Sequence, residues 1–127
     1  MQDFSYTSKF YNFNYTNGIF HLTYMDGPIT LEVAKDLVKQ RINLTKSENV
    51  LMLVTVQNLK GIERGARTYL SSKEGIKGVQ AGAIVTKTAF TKHLANFFIQ
   101  ISFKKSKMQA KIFSNKKDAI NWLRGQK

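Results

Sequence analysis

The chain has 127 residues, of which 43% are hydrophobic and 12% aromatic, and this composition is typical of one globular domain with a single core. It contains no cysteine, which excludes disulfides, thiolate catalysis and cysteine-based zinc sites and fits a reducing cytoplasm. The net charge of +12 is concentrated in residues 75–127, where ten Lys and one Arg stand against the single acid Asp118. Such asymmetry is typical of an anionic partner, although a solvated basic surface produces it equally well.

The start of the chain lacks the cationic residues and apolar core of a secretory signal, and no apolar run reaches about 18 residues. The single Pro and the absence of low-complexity tracts indicate no linker. We therefore predict a cytoplasmic protein that forms one domain over residues 1–127, with residues 1–8 flexible.

The first predicted elements are a hairpin and a helix. Residues 9–15 and 19–25 are rich in β-forming types and flank Asn17-Gly18, which predicts an antiparallel hairpin. Thr30 then supplies an N-cap for a helix. The apolar stripe of that helix consists of Ala34, Leu37, Val38 and Ile42.

The rest of the chain is arranged around residues 50–67. Residues 50–56 are apolar except for Thr55, and a run without alternation indicates an interior strand of a parallel sheet. A glycine-bearing loop follows, and a helix over residues 62–71 turns one apolar stripe back onto the sheet. Ligands of open α/β sheets bind beside such loops, so we expect a site first at residues 58–64.

Two further strand–helix units complete the predicted order. Residues 80–86 form an apolar strand whose small residues predict the close approach of a helix, and a helix follows over residues 89–103. The last strand, residues 108–113, alternates in polarity and precedes a final helix that Ser114 or Asn115 caps. The order β-β-α-β-α-β-α-β-α predicts an α/β fold with about five strands and about four helices, in which the sheet is parallel apart from its antiparallel first strand.

Four segments carry a resemblance to a known family: GIFHLTYMDGPITLEVAKDLV, GARTYLSSKEGIKGVQAGAIV, ANFFIQI and KIFSNKKDAINWL. In these segments and in its element order, the chain resembles small stand-alone bacterial STAS-like domains with the SpoIIAA-like fold, an uncharacterised group. The resemblance covers about residues 10–124. This fold class includes anti-sigma-factor antagonists and relates to the SEC14 lipid-binding domains, so the resemblance implies a regulatory or interaction module.

The anti-sigma-factor antagonists carry a phosphorylatable Ser at the start of the helix that follows the strand matching residues 50–56. Here no Ser or Thr occurs between Thr55 and Thr68, and Thr68 falls inside the predicted helix. The resemblance therefore implies this type of module without its usual phosphorylation switch.

The sequence does not predict a catalytic or metal site. His21 and His93 are the only histidines, and neither has ligand-type residues beside it. The eight acidic residues do not pair at metal or general-acid spacing, and the segment with Gly61 and Gly65 does not match a nucleotide-binding pattern. We therefore expect no enzyme activity, no metal and no cofactor.

The strand-to-helix loops predict a site for an anion or a protein partner. In a parallel sheet these loops meet at one edge, where helix N-termini offer free amide groups. The candidate residues are Asn58, Lys60, Gly61, Arg64, Lys87, Thr88, Ser114, Asn115 and Lys116. The alternative interpretation is that the hydroxyl and amide side chains cap helices while the lysines are solvated.

The predicted helix over residues 89–103 is apolar on more sides than a core helix needs. Its main stripe is assigned to the core, and the remaining apolar residues, with the lysines that follow them, are interface candidates. These candidates are Ile99, Phe103, Lys104, Lys105 and Lys107. They suit either a homodimer or the surface of an anionic membrane.

Two functions follow from these observations. The first is a non-enzymatic STAS-like regulatory or interaction module that binds a protein partner or a small anionic ligand. The alternative is a peripheral membrane or lipid-binding domain that uses the Phe-rich helix and its lysines. Nucleic acid binding is disfavoured because Arg is scarce in the basic half and no groove-reading motif occurs.

Overall fold

The computed structural model describes residues 1–25, 27–56, 59–88, 92–93 and 108–126, and the elements below lie within them. The strands are β1 (Phe4–Thr7), β2 (Tyr11–Thr16), β3 (Ile19–Tyr24), β4 (Gly27–Ile29), β5 (Val50–Val56), β6 (Leu59–Ile62), β7 (Val79–Val85) and β8 (Gln109–Phe113). The helices are α1 (Leu31–Thr45), α2 (Arg64–Leu70) and α3 (Lys116–Arg124).

A six-stranded sheet with the order β1-β2-β3-β5-β7-β8 forms the centre of the fold. Strands β1, β2 and β3 pair antiparallel, whereas β3, β5, β7 and β8 run parallel to one another. Strands β4 and β6 form a separate two-stranded parallel sheet. The predicted mixed α/β sheet, with antiparallel strands at its start and parallel strands after them, is confirmed.

The strand count differs from the prediction because three further segments form strands: β1 pairs with the adjacent β2, and β4 pairs with β6, which is distant in sequence. Residues 1–8, predicted to be flexible, contain β1, whose Phe4 ring stacks on Tyr15 of β2 at a centroid distance of 5.6 Å. Residues 59–62, predicted as loop and helix start, form β6 because they pair with β4. Helix α2 accordingly begins at Arg64.

Local capping sets the ends of the helices. The Oγ1 atom of Thr30 accepts a hydrogen bond from the Val33 amide at 3.2 Å, which confirms the predicted N-cap of α1. The Oδ1 atom of Asn115 accepts from the Asp118 amide at 2.9 Å, so Asn115 caps α3. Of the third predicted helix, residues 89–103, the structure describes Lys92 and His93, which are helical.

The two faces of the large sheet carry different cores. Helices α1 and α2 pack on one face, against aromatic and aliphatic side chains of β2, β3 and β5. Helix α3 packs on the other face, where its Ala119 and Leu123 meet Ala81 and Ala83 of β7. The small residues of β7 on this second face therefore admit a helix closely, as predicted.

Tyr11 of β2 makes the folded state less stable at alkaline pH. Its side chain is buried and its hydroxyl donates a hydrogen bond to Asp36 Oδ2. Burial, reinforced by this carboxylate, raises the pKa of Tyr11 far above its ordinary value, and burial also raises the pKa of Tyr24. The raised pKa means that the folded state favours the neutral phenol. The contribution of Tyr11 to stability is therefore fully present below pH 10.0, its ordinary pKa, and is lost as the pH rises above that value.

We therefore expect the free energy of unfolding to fall as the pH rises above about 10, and to fall less steeply in Tyr11→Phe. Urea denaturation at several alkaline pH values measures this slope. Tyr15→Phe, which changes a partly buried tyrosine of the same strand, serves as the control. An alkaline slope in Tyr11→Phe equal to that of the wild type would contradict the prediction.

Candidate functional site

An apolar cavity of about 160 Å³ lies between the large sheet and helices α1 and α2. The described residues of its wall come from strands β3 to β7, from α1 and the end of α2, from the turn that precedes β7, and from the chain around β8. Its surface is almost entirely apolar. The cavity is partly open. Its volume is close to that of an enclosed apolar cavity of about 150 Å³ that holds benzene, so its size suits a small apolar molecule or a short alkyl chain.

The cavity exists because two small residues lie side by side on this face of the sheet. Gly82 of β7 pairs in register with Ala110 of β8 on one side and with Met52 of β5 on the other. A Cβ atom built on Gly82 would meet no heavy atom of the described residues within 4 Å. The described side chains of the sheet thus leave space beside Gly82 that they do not fill themselves.

Arg41 of α1 is the charged residue among the described residues of the wall. Its side chain is 1% exposed, and its guanidinium donates hydrogen bonds to the carbonyl oxygens of Lys77 at 2.7 Å and Gly75 at 3.1 Å. Within the described part of the chain, no carboxylate forms an ion pair with it. Burial lowers the pKa of Arg41 to about 10, so the group remains charged at pH 7.

The turn that accepts these hydrogen bonds depends on Gly78. This residue has a φ of +79°, and an added Cβ would lie 3.1 Å from the Glu48 carbonyl oxygen and 3.4 Å from Arg41 Nη1. The carbonyl of Gly78 also accepts a hydrogen bond from the Val50 amide at 2.8 Å. A glycine at this position therefore lets α1, the turn and the start of β5 come together around the buried guanidinium.

Sequence reasoning missed both the cavity and Arg41, although a signal for each was present. Arg41 continues the spacing of Ala34, Leu37 and Val38, so it is a charge within the buried stripe of α1. Gly82 interrupts an otherwise apolar strand on the face opposite to the alanines that contact α3. A charge and a glycine at core positions are the kinds of local inconsistency that mark functional sites.

The structure brings together the candidate residues of the loops after β7 and β8. The Thr86 amide donates to the Phe113 carbonyl at 3.1 Å, and Lys92 Nζ donates to Ser114 Oγ at 3.1 Å. Lys87, Thr88, Asn115 and Lys116 are exposed in these same loops. The side chain of Asn115 caps α3, as expected from the alternative interpretation in which these polar side chains are helix caps.

The other candidate residues belong to β6 and to the start of α2. Lys60 and Gly61 lie in β6 and Arg64 is the first residue of α2. Between described residues, no hydrogen bond links these three to the loops after β7 and β8, whereas Glu63 Oε1 accepts from the Leu31 amide of α1 at 3.0 Å. Asn58 lies outside the described residues. Anion or partner binding at these loops stays a prediction.

The interface candidates of the Phe-rich segment all lie outside the described residues. They are Ile99, Phe103, Lys104, Lys105 and Lys107. Homodimer formation and membrane binding through this segment therefore stay predictions. None of the helices in the described ranges has the length and apolarity that crossing a bilayer requires.

The histidines and carboxylates of the described ranges do not assemble into a group of three or more that would hold a metal ion. His21 lies on β3, and burial, with a further contribution from the positive charge of Lys116, lowers its pKa. His21 is therefore neutral at pH 7.

Comparison with known proteins identifies the fold. A family model described as a domain of unknown function (DUF7793) matches residues 13–127. Among solved structures, the chain is similar to an uncharacterised protein of the DUF3478 family with a SpoIIAA-like fold from Shewanella loihica PV-4, with 17% identity and a TM-score of 0.62. That similarity covers 97% of this chain and 96% of the other, and at such identity it shows the SpoIIAA-like fold alone. No curated protein matches the chain.

Proposed function

The chain belongs to the DUF7793 family, and from this premise we propose that it is a non-enzymatic STAS-like regulatory module that binds a small apolar ligand inside its fold. The observation that carries the proposal is the cavity beside Gly82, which has an apolar wall and space for a short chain. The alternative function predicted from the sequence is a lipid-binding domain that uses the Phe-rich helix. This proposal retains the binding of an apolar ligand but places the ligand between the large sheet and α1.

The size of the expected affinity follows from the apolar wall. Each methylene that leaves water for an apolar environment contributes about 0.8 kcal/mol, so a chain of about six carbons contributes about 5 kcal/mol. Part of this free energy is offset by the entropy lost on binding, and we expect dissociation constants in the millimolar range. Such affinities suit a module whose occupancy follows the concentration of its ligand.

The chemistry of the wall supports binding without catalysis. Among the described residues that line the cavity, the only hydroxyl is that of Tyr24, and it donates to the Pro28 carbonyl at 2.9 Å. The same residues include no carboxylate and no imidazole. A molecule in this cavity would therefore meet neither a nucleophile nor a general base from them.

Filling the cavity tests the proposal, and Gly82→Val is the variant of choice because no described residue lies within 4 Å of the added Cβ atom. We expect binding of 1-hexanol, measured by titration calorimetry, to weaken at least about tenfold, since the valine removes room for the chain. We also expect the free energy of unfolding to rise by about 1 kcal/mol, because the variant removes a strand glycine and buries apolar surface.

The matched control is Lys111→Val, which adds a valine to the neighbouring strand at an exposed position paired with Ala83. This control should bind 1-hexanol as the wild type does. A folded Gly82→Val protein with wild-type affinity for 1-hexanol, or a wild-type protein with no affinity for it, would overturn the proposed function.

A further inference from the structure

We propose that the outer edge of β1 is an interface between two copies of this chain, whose β1 strands pair antiparallel about a two-fold axis and join the two large sheets into one. No described residue of β1 or β2 belongs to the wall of the cavity. The interface is therefore separate from the proposed ligand site, and its test is independent of the test with 1-hexanol.

The backbone of β1 has hydrogen-bonding groups that no described strand uses. Within the described part of the chain, β2 is the neighbour of β1 in the sheet, and the Ser8 amide donates to the first carbonyl of β2 at 2.8 Å. In an antiparallel ladder every second residue directs its N–H and C=O groups toward the same neighbour. Phe4 and Tyr6 therefore pair with β2, whereas the N–H and C=O groups of Ser5 and Thr7 point outward, and the side chains of Ser5 and Thr7 are exposed.

This edge of the sheet lacks the features that normally keep strand edges apart, which are charged side chains, proline and bulges. The opposite edge, β8, carries the exposed Lys111 at its centre. Strand β1 (Phe4–Thr7) contains neither a charged residue nor a proline, and it pairs with β2 without a shift of register. A further strand can therefore add to the β1 edge without burying a charge.

The residues around β1 complement a second copy of themselves. Asp3 precedes the strand, Lys9 follows it, and both are exposed. If Tyr6 lies opposite the partner's Tyr6, then Ser5 lies opposite the partner's Thr7 and Asp3 lies opposite the partner's Lys9. Opposite charges at facing positions of two strands stabilise the pair, and the two-fold axis produces this contact twice. The neighbouring registers, which also pair outward-pointing residues, separate these charges.

The exposed apolar side chains lie at the two ends of the same edge. Among the described residues, the large hydrophobic side chains that are exposed are Met1, at 49%, and Phe10, at 38%. Met1 precedes β1, and Phe10 lies between β1 and β2. Antiparallel pairing brings Met1 of each copy close to the partner's Phe10, so both side chains lose contact with water.

Sedimentation velocity and hydrogen exchange of the wild-type protein test the pairing. Because β1 has four residues, the interface belongs to the small class whose complexes are weak. We therefore expect a monomer at about 10 µM and a dimer at about 1 mM. Over this range the exchange of the Ser5 and Thr7 amides should slow several-fold, whereas the Phe4 and Tyr6 amides, which pair within the sheet, should change less.

Charge reversal tests the register. Asp3→Lys places a lysine opposite the partner's Lys9, and Lys9→Asp places an aspartate opposite the partner's Asp3, so each single variant should weaken association about tenfold. The double variant exchanges the two charges and should restore association to within about threefold of the wild type. Lys117→Asp, which makes the same change of charge as Lys9→Asp at an exposed position of α3, should leave association unchanged.

Ser5→Pro tests the backbone contact, because it removes an outward-pointing N–H group and keeps the hydrogen bonds of β1 to β2. It should abolish the dimer while its circular dichroism spectrum stays that of the wild type. A wild-type protein that remains a monomer at about 1 mM would overturn the inference. A dimer that forms equally in Ser5→Pro and in both single charge reversals would overturn it as well, because the two copies would then meet at another surface.

Discussion

Replacing Arg41 by Ala is expected to lower the free energy of unfolding by about 3–5 kcal/mol. The substitution leaves the carbonyls of Lys77 and Gly75 without their donor, and a buried polar group that loses its partner costs about 1–3 kcal/mol. It also enlarges the existing cavity by the volume of a side chain that is 1% exposed. Removal of the desolvated charge offsets part of this loss, which keeps the expected total within that range.

Urea denaturation followed by circular dichroism measures the effect of Arg41→Ala. The matched control is Arg64→Ala, which makes the same chemical change at an exposed position of α2. The control should change the free energy of unfolding by no more than about 0.5 kcal/mol. Equal effects of the two substitutions would show that the guanidinium does not hold the turn before β7.

Replacing Phe20 by Ala is expected to cost about 3–5 kcal/mol as well, for a purely apolar reason. Phe20 lies on β3 with 0% exposure, and its ring centroid is 4.7 Å from that of Phe13 and 6.0 Å from that of Phe4. Its removal would leave a void at the point where β1, β2 and β3 share one aromatic cluster. Both the transfer free energy of the ring and its aromatic contacts would be lost.

Phe10→Ala is the control for this second variant, because it removes the same ring from a position that is 38% exposed. We expect it to cost less than about 1 kcal/mol. Denaturation of both variants under one set of conditions gives the comparison directly. Losses of similar size would mean that burial on β3 is not what makes Phe20 important.

Arg41 links the proposed site to the stability of the module. The same side chain holds the turn before β7 and lines the cavity, so a ligand in the cavity would contact residues that keep α1, the turn and β5 together. A ligand that binds only the folded state stabilises it by mass action. Occupancy of the proposed apolar site would therefore raise the free energy of unfolding.

The elements that could be predicted from the sequence are those specified by local interactions. Asn17 and Gly18 adopt positive φ values of 52° and 78°, as the tight hairpin turn requires, and this preference belongs to the two residues themselves. Thr30 caps α1 through an amide three residues away, and the interior strand at residues 50–56 follows from an unbroken apolar run. Such signals predicted the mixed α/β fold, whereas the SpoIIAA-like fold was predicted from the resemblance of four segments to STAS-like domains.

The sequence by itself thus determined the hairpin, the alternation of strands and helices that follows it and the mixed sheet, because turns, caps and apolar periodicity act over a few residues. Only the tertiary structure decided that residues 59–62 pair with β4, since that partner lies some thirty positions earlier in the chain. Only the tertiary structure placed Gly82 beside Ala110 and directed Arg41 to the carbonyls of a distant turn. The cavity and its buried charge arise from strand register and helix packing, which no single segment of the sequence specifies.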